Sequence, residues 1–471
     1  MSAVTTPRER FSTYHIRLLA LLGIATLYEG FDAAMLTLAS VDVQATLHMK
    51  VSEWGPLYAI TRAGVVASFF FLMCADRFGR RTLLLLTVSG FALASAATAF
   101  VETKAEFAFW QTLARLFLVA QYGLAVIIAS EELPARLRGT GITILTAFAT
   151  LGTVTMAKLS PVFLLIGDAP GNVAHDFAMH CVALGQSWLG RTSDGAHWRG
   201  MYLIGALPLL LVPVLRFGVR ETQRYKEIAV TRAAASLLAT IRAQFAEARR
   251  LIQPVYRPRF LIVVLLWNCV NLVIAPSVAF WSIYARKEVG MTPAQVGDVV
   301  MWSYIAGAFG HLLAGQLVDR IGRKLTCASF YFIAAFCIVG LFHAHSMPAQ
   351  YFWQITTVFF FNCAIGATHV YASELFPTEL RATGYGWATN LFGRFTEVGT
   401  PLLIGALIPF LGISWGITCV AIGPIIGAFL VMKYAPETKG MTLEQIQEKL
   451  GAHEDKQAEE AVRKGAPQAA G

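Results

Sequence analysis

A small set of charged residues lies inside long apolar stretches of this chain, where a charge is costly unless it meets a partner or water. Glu29 and Asp32 fall in the first such stretch, Arg115 in the fourth, and Arg394 with Glu397 in the eleventh. A carboxylate in a dry site can take up and release a proton, and a guanidinium can bind an organic carboxylate through two parallel hydrogen bonds. The residue types therefore indicate proton exchange and anion binding inside an apolar protein.

Asp32 and Arg115 are the predicted proton-coupling pair, with Glu29 one helical turn from Asp32. A nearby guanidinium favours the ionised form of a carboxylate, whereas a dry environment favours the neutral form. If Asp32 faces Arg115, opening the site to one side or the other would change the proton affinity of Asp32. Glu29 shares a helix face with Asp32 and is expected to tune it.

Arg394 is the predicted anchor for a substrate carboxylate, and Glu397 would hold it in place or take up a second proton. Other polar or aromatic residues fall on the fourth, seventh and eleventh apolar stretches, and those of the fourth and eleventh have the helical spacing typical of helices that line a cavity. These further candidates for substrate contact are Asn390, Trp387, Gln111, Tyr122, Asn268 and Asn271. A purely structural pair of Arg394 with Glu397, and packing roles for the weaker candidates, remain open. No catalytic residue, cofactor or metal site is expected.

The composition indicates that these stretches are membrane spans. Of the 471 residues, 56% are hydrophobic and only 14% are charged, with a mean hydropathy of +0.56. A soluble domain carries about 25% charged residues, so a cytosolic enzyme, a disordered chain and a secreted disulfide scaffold are poor interpretations. We predict an all-α membrane protein with twelve transmembrane helices over residues 18–40, 55–75, 82–101, 107–130, 139–166, 199–219, 260–285, 298–317, 325–344, 350–372, 383–411 and 414–434.

The basic residues predict the orientation. Lys and Arg resist translocation, and most of those outside the spans lie on the side that holds both chain ends. We therefore expect both termini in the cytoplasm and a multi-pass protein of the plasma membrane, the inner membrane in a bacterium. The formal charge of +9 is then a topology signal, and nucleic acid is not an expected partner. Arg62 and Lys158 lie in the outer thirds of their spans and are expected to snorkel to the interface.

An internal repeat divides the chain into two halves. Asp319 lies 243 positions after Asp76, and Glu374 lies 243 positions after Glu131. Two windows with one offset indicate two sets of six spans in the same orientation, the parallel repeat of one class of transporters. The predicted units are a first bundle over 1–219, an amphipathic cytoplasmic linker over 220–259, a second bundle over 260–434 and a partly disordered cytoplasmic tail over 435–471.

The long external segment 167–198 contains three histidines: His175, His180 and His197. Three imidazoles in one loop could suggest a metal site. Their irregular spacing favours solvated loop side chains instead.

Three groups of motifs carry a resemblance to a known family: Gly315-x-x-x-Asp319-Arg320-x-Gly322-Arg323-Lys324, Pro436-Glu437-Thr438-Lys439-Gly440, and Glu29-Gly30-Phe31-Asp32 together with Gly393-Arg394. The first resembles the loop signature of the major facilitator superfamily, and its first-half copy has Leu72 where Gly is usual. The second resembles the sugar porter branch. The third is similar to the aromatic acid:proton (metabolite:proton) symporters, with Glu29 in place of Asp. The resemblance implies the major facilitator fold, with two six-helix bundles and alternating access.

The resemblance also implies a cytoplasmic gate, in which acidic and basic loop residues pair across the two halves. The matching positions are Asp76, Arg80, Glu131 and Arg138 in the first half, and Asp319, Arg323, Glu374 and Arg381 in the second. Ion pairs at wet helix ends are worth about 1 kcal/mol or less each, so they can form and break as two bundles rock. The alternative is a solvated loop that only sets the topology.

The favoured function is proton-coupled uptake of a small organic anion or metabolite, such as an aromatic carboxylate. A sugar or polyol:proton symporter is an alternative, although the seventh span, read over 265–281, contains none of the Gln expected of sugar porters. A metabolite or drug exporter is a second alternative, although 139–166 lacks the expected Gly-Pro pair. A membrane sensor that binds without transport is a third. An enzyme is not expected, because no nucleophile triad, zinc spacing or phosphate loop occurs. The expected partners are the substrate, protons and the lipid bilayer, with the protein acting as a monomer.

Overall fold

The computed structural model describes residues 11–134, 137–164, 173–191, 194–222, 237–254, 256–377, 380–441, 445–446 and 448. Within these ranges the regular elements are helices. Eleven apolar stretches are long enough to cross a membrane: Thr13–Leu38, Val51–Leu72, Arg80–Thr98, Lys104–Glu132, Arg138–Leu164, Trp198–Gly218, Arg257–Lys287, Pro293–Ile321, Arg323–His343, Met347–Glu374 and Thr383–Tyr434. The tail over 451–471, predicted to be disordered, lies outside the described residues.

The last of these stretches contains two spans. It has 52 residues, which as a continuous helix would be about 80 Å long, against about 30 Å for the bilayer core. Gly412 interrupts it with φ 72° and ψ 177°, a conformation that strongly favours glycine. Span 11 therefore ends and span 12 begins at Gly412, and the predicted number of twelve spans is confirmed.

The spans pack as two bundles. Spans 1–6 form the N bundle and spans 7–12 the C bundle, and the bundles meet along two helix pairs, span 2 with span 11 and span 5 with span 8. Small residues allow this contact, because a Cβ on Gly55 would collide with the backbone of Pro401 and Gly405. The predicted architecture of two six-helix bundles is confirmed.

Shorter helices and irregular turns connect or interrupt the spans. In the part of the chain that the structure describes, helices between spans are Ser40–Thr46, Ala75–Phe78, Val173–Trp188 and Leu237–Arg249. Single-turn 3₁₀ segments occur at Leu207–Leu210, Arg250–Ile252 and Phe392–Arg394. The π-helical segments Ala275–Phe280 in span 7 and Trp387–Leu391 in span 11 interrupt the C bundle. Segments of this kind are frequent at functional sites.

The loop histidine His175 differs from the solvated side chain that its spacing predicted. It is only 5% exposed, and its Nε2 lies 3.0 Å from Nδ1 of His197. Burial and the neighbouring His175 lower the pKa of His197, while Asp42 partly opposes them. The segment before span 6 therefore folds onto the N bundle, because Phe163 of span 5 packs against the His175 ring.

Spans 1 and 5 approach each other at two glycines. A Cβ on Gly152 would lie 1.8 Å from the backbone oxygen of Leu27, and one on Gly30 would lie 1.8 Å from the oxygen of Ala149. Only glycine permits backbones to pack this closely. The contact holds span 1, which carries Glu29 and Asp32, against span 5.

Gly152→Ala is expected to destabilise the protein. A helical Gly→Ala change normally stabilises by about 1 kcal/mol, whereas overpacking a tight contact costs about 1–3 kcal/mol. The melting temperature of the purified protein in detergent, followed by tryptophan fluorescence, should fall. Gly139→Ala on the same span is the matched control, because its Cβ would meet nothing within 4 Å. Equal melting temperatures for the two variants would contradict the close approach.

Candidate functional site

Asp32 and Arg115 form a buried ion pair in the N bundle. Arg115 Nη2 on span 4 lies 2.9 Å from Asp32 Oδ2 on span 1, and both side chains are at least 96% buried. Among the described residues, neither carboxylate oxygen of Asp32 has an aligned hydrogen-bond donor. The contact is therefore an ion pair in which the guanidinium does not point its N–H at the carboxylate. The two residues predicted to couple protons lie together.

Glu397 lies between two arginines that belong to different bundles. Its Oε1 is 3.1 Å from Arg62 Nη1 on span 2, and its Oε2 is 2.7 Å from Arg394 Nη1, at the start of the same helix. The prediction that Arg62 snorkels to the interface is wrong, because Arg62 is only 7% exposed and also donates to the Tyr58 hydroxyl. A span boundary read from hydropathy cannot reveal a partner on another bundle.

Glu29 completes the central group of charges. It lies on span 1 and is partly buried, close enough to Arg115 and Arg394 for their charges to act on it. The group thus contains three carboxylates and three guanidiniums: Glu29, Asp32, Glu397, Arg62, Arg115 and Arg394. Its formal charge is zero when all six side chains are ionised.

Asn268 and Asn271 on span 7 support the irregular backbone of span 11. Asn268 Nδ2 donates to the Phe392 carbonyl at 3.0 Å, and its Oδ1 accepts from the Thr396 N–H at 3.1 Å. Asn271 Nδ2 donates to the Gly393 carbonyl at 2.7 Å. The donors of these amides satisfy backbone that the interrupted helix leaves free, and substrate contact by Asn268 and Asn271 stays a prediction. They position Arg394, which directly follows Gly393.

The other predicted contact residues differ in their surroundings. Trp387 is 9% exposed and packs edge-to-face against Phe69 of span 2 and Phe245 of the helix before span 7, at centroid distances of 5.2 and 5.0 Å. Gln111 is buried and donates to Thr98 at 3.0 Å, so its amide holds two helices of the N bundle together. Trp387 thus packs between helices and Gln111 joins two helices, and substrate contact by either stays a prediction.

Tyr122 and Asn390 are more accessible. The Tyr122 hydroxyl lies 3.2 Å from the Thr146 hydroxyl, and the Tyr122 side chain is close enough to Glu29 for their charges to interact. Asn390 is exposed and lies in the π-helical segment of span 11. These two residues remain candidates for substrate contact.

The predicted gate residues lie at one end of the bundles, which we call the basic end, defined by Arg80 and Arg323. Arg80 pairs with Glu131 at 3.2 Å, and Arg323 pairs with Glu374 at 2.9 Å and with Asp319 at 3.3 Å. Each of these pairs lies within one bundle, whereas the resemblance implied pairs across the bundles. Arg138 and Arg381 donate to the backbone carbonyls of Leu133 and Phe376, also within their own bundles. The side chain of Asp76 lies outside the described residues.

Two glutamates that are not among the predicted gate residues, Glu221 and Glu437, organise the basic end. Glu221 accepts from the N–H groups of Arg80 and Arg81 at the start of span 3. Glu437 accepts in the same way from Arg323 and Lys324 at the start of span 9. Each glutamate precedes a threonine, and this shared Glu-Thr pair was the signal available in the sequence. The fixed offset of 243 missed it, because the two glutamates are 216 positions apart.

The bundles are joined at the other end, which we call the opposite end, defined by Asp42 and Arg286. Arg286 Nη2 lies 3.1 Å from Asp42 Oδ1, and Lys287 Nζ lies 2.8 Å from Gln44 Oε1. Trp54 of span 2 donates to the Ala279 carbonyl of span 7 at 3.3 Å. These contacts hold the N and C bundles together at the opposite end.

Comparisons with known proteins agree with this architecture. A family model described as Major Facilitator Superfamily matches residues 22–396 and 272–465. The chain is 25% identical over 466 residues to the niacin transporter NiaP of Acinetobacter baylyi, covering 92% of this chain and 96% of the relative. It is 26% identical over 421 residues to a gallate transporter of Pseudomonas putida, covering 84% of this chain and 86% of the relative.

A solved structure shows the same fold. The inward-open xylose transporter XylE of E. coli matches with a TM-score of 0.70 and 19% identity, covering 92% of this chain and 99% of that chain. At this identity the likeness concerns the fold and carries no information on substrate.

Asn268→Ala is expected to lower the stability of the protein, because it removes hydrogen bonds to the backbone of span 11. Loss of buried hydrogen bonds costs about 1–3 kcal/mol, and the melting temperature in detergent should fall accordingly. Asn390→Ala is the control, since this exposed asparagine lies on span 11 itself. If both variants melt at the wild-type temperature, Asn268 does not support the interrupted helix.

Proposed function

The chain belongs to the major facilitator superfamily, and from this premise we propose that it is a proton-coupled symporter that takes up a small organic anion such as an aromatic carboxylate. The family identified from the loop signatures is confirmed, and the chain is a multi-pass membrane transport protein rather than an enzyme. Relatives named as transporters of niacin and gallate support a metabolite as the substrate. Import, coupling to protons and the aromatic carboxylate are parts of the proposal.

The observation that carries the proposal is the balance of charge at the centre of the bundles. Three carboxylates and three arginines compensate one another there. An entering anion adds one negative charge in a region of low dielectric, which is unfavourable without compensation. One proton taken up by a carboxylate of the group restores the balance. A proton and a monovalent anion would therefore enter together at lower cost than either alone.

Asp32 is the proposed proton carrier and Arg115 the residue that controls its proton affinity. Their distance of 2.9 Å and deep burial support these roles. A carboxylate with a close guanidinium stays ionised, and separation of the two would favour protonation. Glu29, one turn earlier and near Arg115, would modulate this exchange.

Arg394 is the proposed anchor for the substrate carboxylate. Its side chain is 24% exposed, unlike that of Glu397, which is 5% exposed. A guanidinium that is held from one side and accessible from another can bind an incoming anion. Tyr122 and the exposed Asn390 are the proposed polar neighbours of the bound substrate.

Transport is proposed to occur by alternating access, with residues 1–219 and 260–434 rocking as units joined by the linker 220–259, and with 435–471 as a tail. In the state described here, the gate residues Arg80 and Arg323 pair within their bundles while Asp42 and Arg286 pair between bundles. The reverse arrangement would accompany closure of the basic end. We propose that the basic end and both termini face the cytoplasm, that the membrane is the plasma membrane, and that the monomer is active.

Uptake by proteoliposomes tests the function. Gallate, nicotinate and benzoate are compared with xylose and an organic cation, with and without an inward proton gradient. Uptake of a carboxylate that a protonophore abolishes is the expected result. Uptake of the sugar alone, or carboxylate uptake that is unchanged when the protonophore is added, would overturn the proposal.

Asp32→Asn is expected to abolish accumulation while the protein remains folded. A pH gradient of about one unit supports about tenfold accumulation when one proton accompanies each anion, since each factor of ten needs about 1.4 kcal/mol. In the variant, the ratio of internal to external substrate concentration should reach only about one. Asp298→Asn, an exposed acidic residue at the opposite end, should accumulate like the wild type. If Asp32→Asn still concentrates substrate under the gradient, Asp32 is not the proton carrier.

A further inference from the structure

Arg62 is a third arginine of the central group, and it lies on the other bundle from Arg394. Its guanidinium is buried, contacts Glu397 at 3.1 Å and lies over the Tyr58 ring at 4.5 Å from the centroid. Arg62 is also close enough to Asp32 for their charges to interact. It therefore stands between the proposed proton carrier of the N bundle and the proposed substrate anchor of the C bundle.

The carboxylate of Glu397 has the binding mode that an incoming carboxylate would need. One oxygen contacts Arg62 at 3.1 Å and the other contacts Arg394 at 2.7 Å, so a single carboxylate connects two guanidiniums from opposite bundles. A guanidinium forms charge-assisted hydrogen bonds with a carboxylate whether the carboxylate belongs to the protein or to a ligand. Glu397 thus shows that this gap fits one carboxylate.

Arg62 and Arg394 each have an N–H donor that is available for a further hydrogen bond. Among the described residues, Arg62 Nε and Arg394 Nε are buried and have no hydrogen-bond partner. A buried donor without a partner is costly, and such groups point to an unfilled interaction. Among the described residues, the Thr400 hydroxyl, one turn from Glu397, is a further buried group without a hydrogen-bond partner.

We propose that the carboxylate of the substrate binds between Arg62 and Arg394, where Glu397 occupies the guanidiniums of the empty transporter. This inference rests on the proposed function and extends it by making Arg62 a substrate-contacting residue. The bound anion would connect the two bundles at their centre, and Glu397 would act as an internal competitor that the substrate displaces. Substrate binding and the relative position of the bundles would thereby be coupled through one carboxylate.

The inference predicts how a carboxylate is distinguished from its amide. Nicotinate and nicotinamide have nearly the same shape but differ in charge, so their ratio of half-saturating concentrations in proteoliposome exchange reports the guanidinium contact. Arg62→Gln should reduce the preference for nicotinate by about tenfold or more, because a charge-assisted hydrogen bond is lost. Arg62→Lys keeps the charge but loses the planar fork, and should fall between Arg62→Gln and the wild type.

Two further variants separate contact from structure. Glu397→Gln removes the competing charge and should bind nicotinate at least as tightly as the wild type. Lys158→Gln is the matched control, because Lys158 pairs with Asp298 between the bundles at the opposite end, and its nicotinate preference should stay at the wild-type value. Elution as a single species in size-exclusion chromatography, and wild-type half-saturation by nicotinamide, show that a variant is folded.

The outcomes distinguish this inference from the proposed function. If the wild type exchanges nicotinate but both Arg62 variants keep the wild-type preference, Arg62 does not contact substrate and the proposed function stands. If Glu397→Gln reduces the preference for nicotinate to the same extent as Arg62→Gln, Glu397 supports the site structurally, and the proposal that it competes with substrate is overturned. If the wild type exchanges none of nicotinate, benzoate and gallate, the proposed function fails and the inference falls with it.

Discussion

The structure depends on the bridge that Glu397 makes between Arg62 of the N bundle and Arg394 of the C bundle. Removing one partner of a buried ion pair costs about 3–5 kcal/mol, because the other charge is left uncompensated. The bridge therefore determines that spans 2 and 11 face each other and that their small residues, Gly55 and Gly405, lie at the contact. The Asp32–Arg115 pair imposes the same constraint on spans 1 and 4. Together the two pairs fix which helices surround the centre.

The interruption of span 11 is the second constraint. Backbone polar groups in a membrane need internal partners, so a helix can be irregular only where side chains replace its lost hydrogen bonds. Asn268 and Asn271 supply them to Phe392, Gly393 and Thr396. The regular helix that begins at Phe395 then holds Glu397 against Arg394. Asn268 and Asn271 on span 7 thus help to position Arg394 and Glu397 on span 11.

The two ends of the molecule differ in the kind of pair they use. At the basic end, Arg80 and Arg323 pair within their own bundles, and Glu221 and Glu437 secure the starts of spans 3 and 9. At the opposite end, Asp42 and Arg286 join the bundles. The Arg323–Glu374 and Asp42–Arg286 pairs are partly exposed and contribute little net free energy, so breaking them costs little, whereas the Arg80–Glu131 pair is as buried as the central bridge. The deeply buried central bridge is costlier to break, and the proposed substrate carboxylate would replace it rather than leave its arginines unpaired.

The twelve spans, the duplicated halves and the presence of Asp32, Arg115, Arg394 and Glu397 inside spans could be predicted from the sequence, because hydropathy and the cost of a charge in lipid are properties of single segments. The partners of these residues could not, because they lie on other helices. From the sequence, Arg62 is predicted to lie at the membrane interface, whereas in the structure it contacts Glu397 of span 11. Asn268 is predicted to contact substrate, and in the structure its amide donates to the backbone of the interrupted span 11. The gate residues likewise pair within bundles in this conformation. The type of a residue determines which interactions its side chain requires, whereas the partner that provides them depends on which distant helix packs against it.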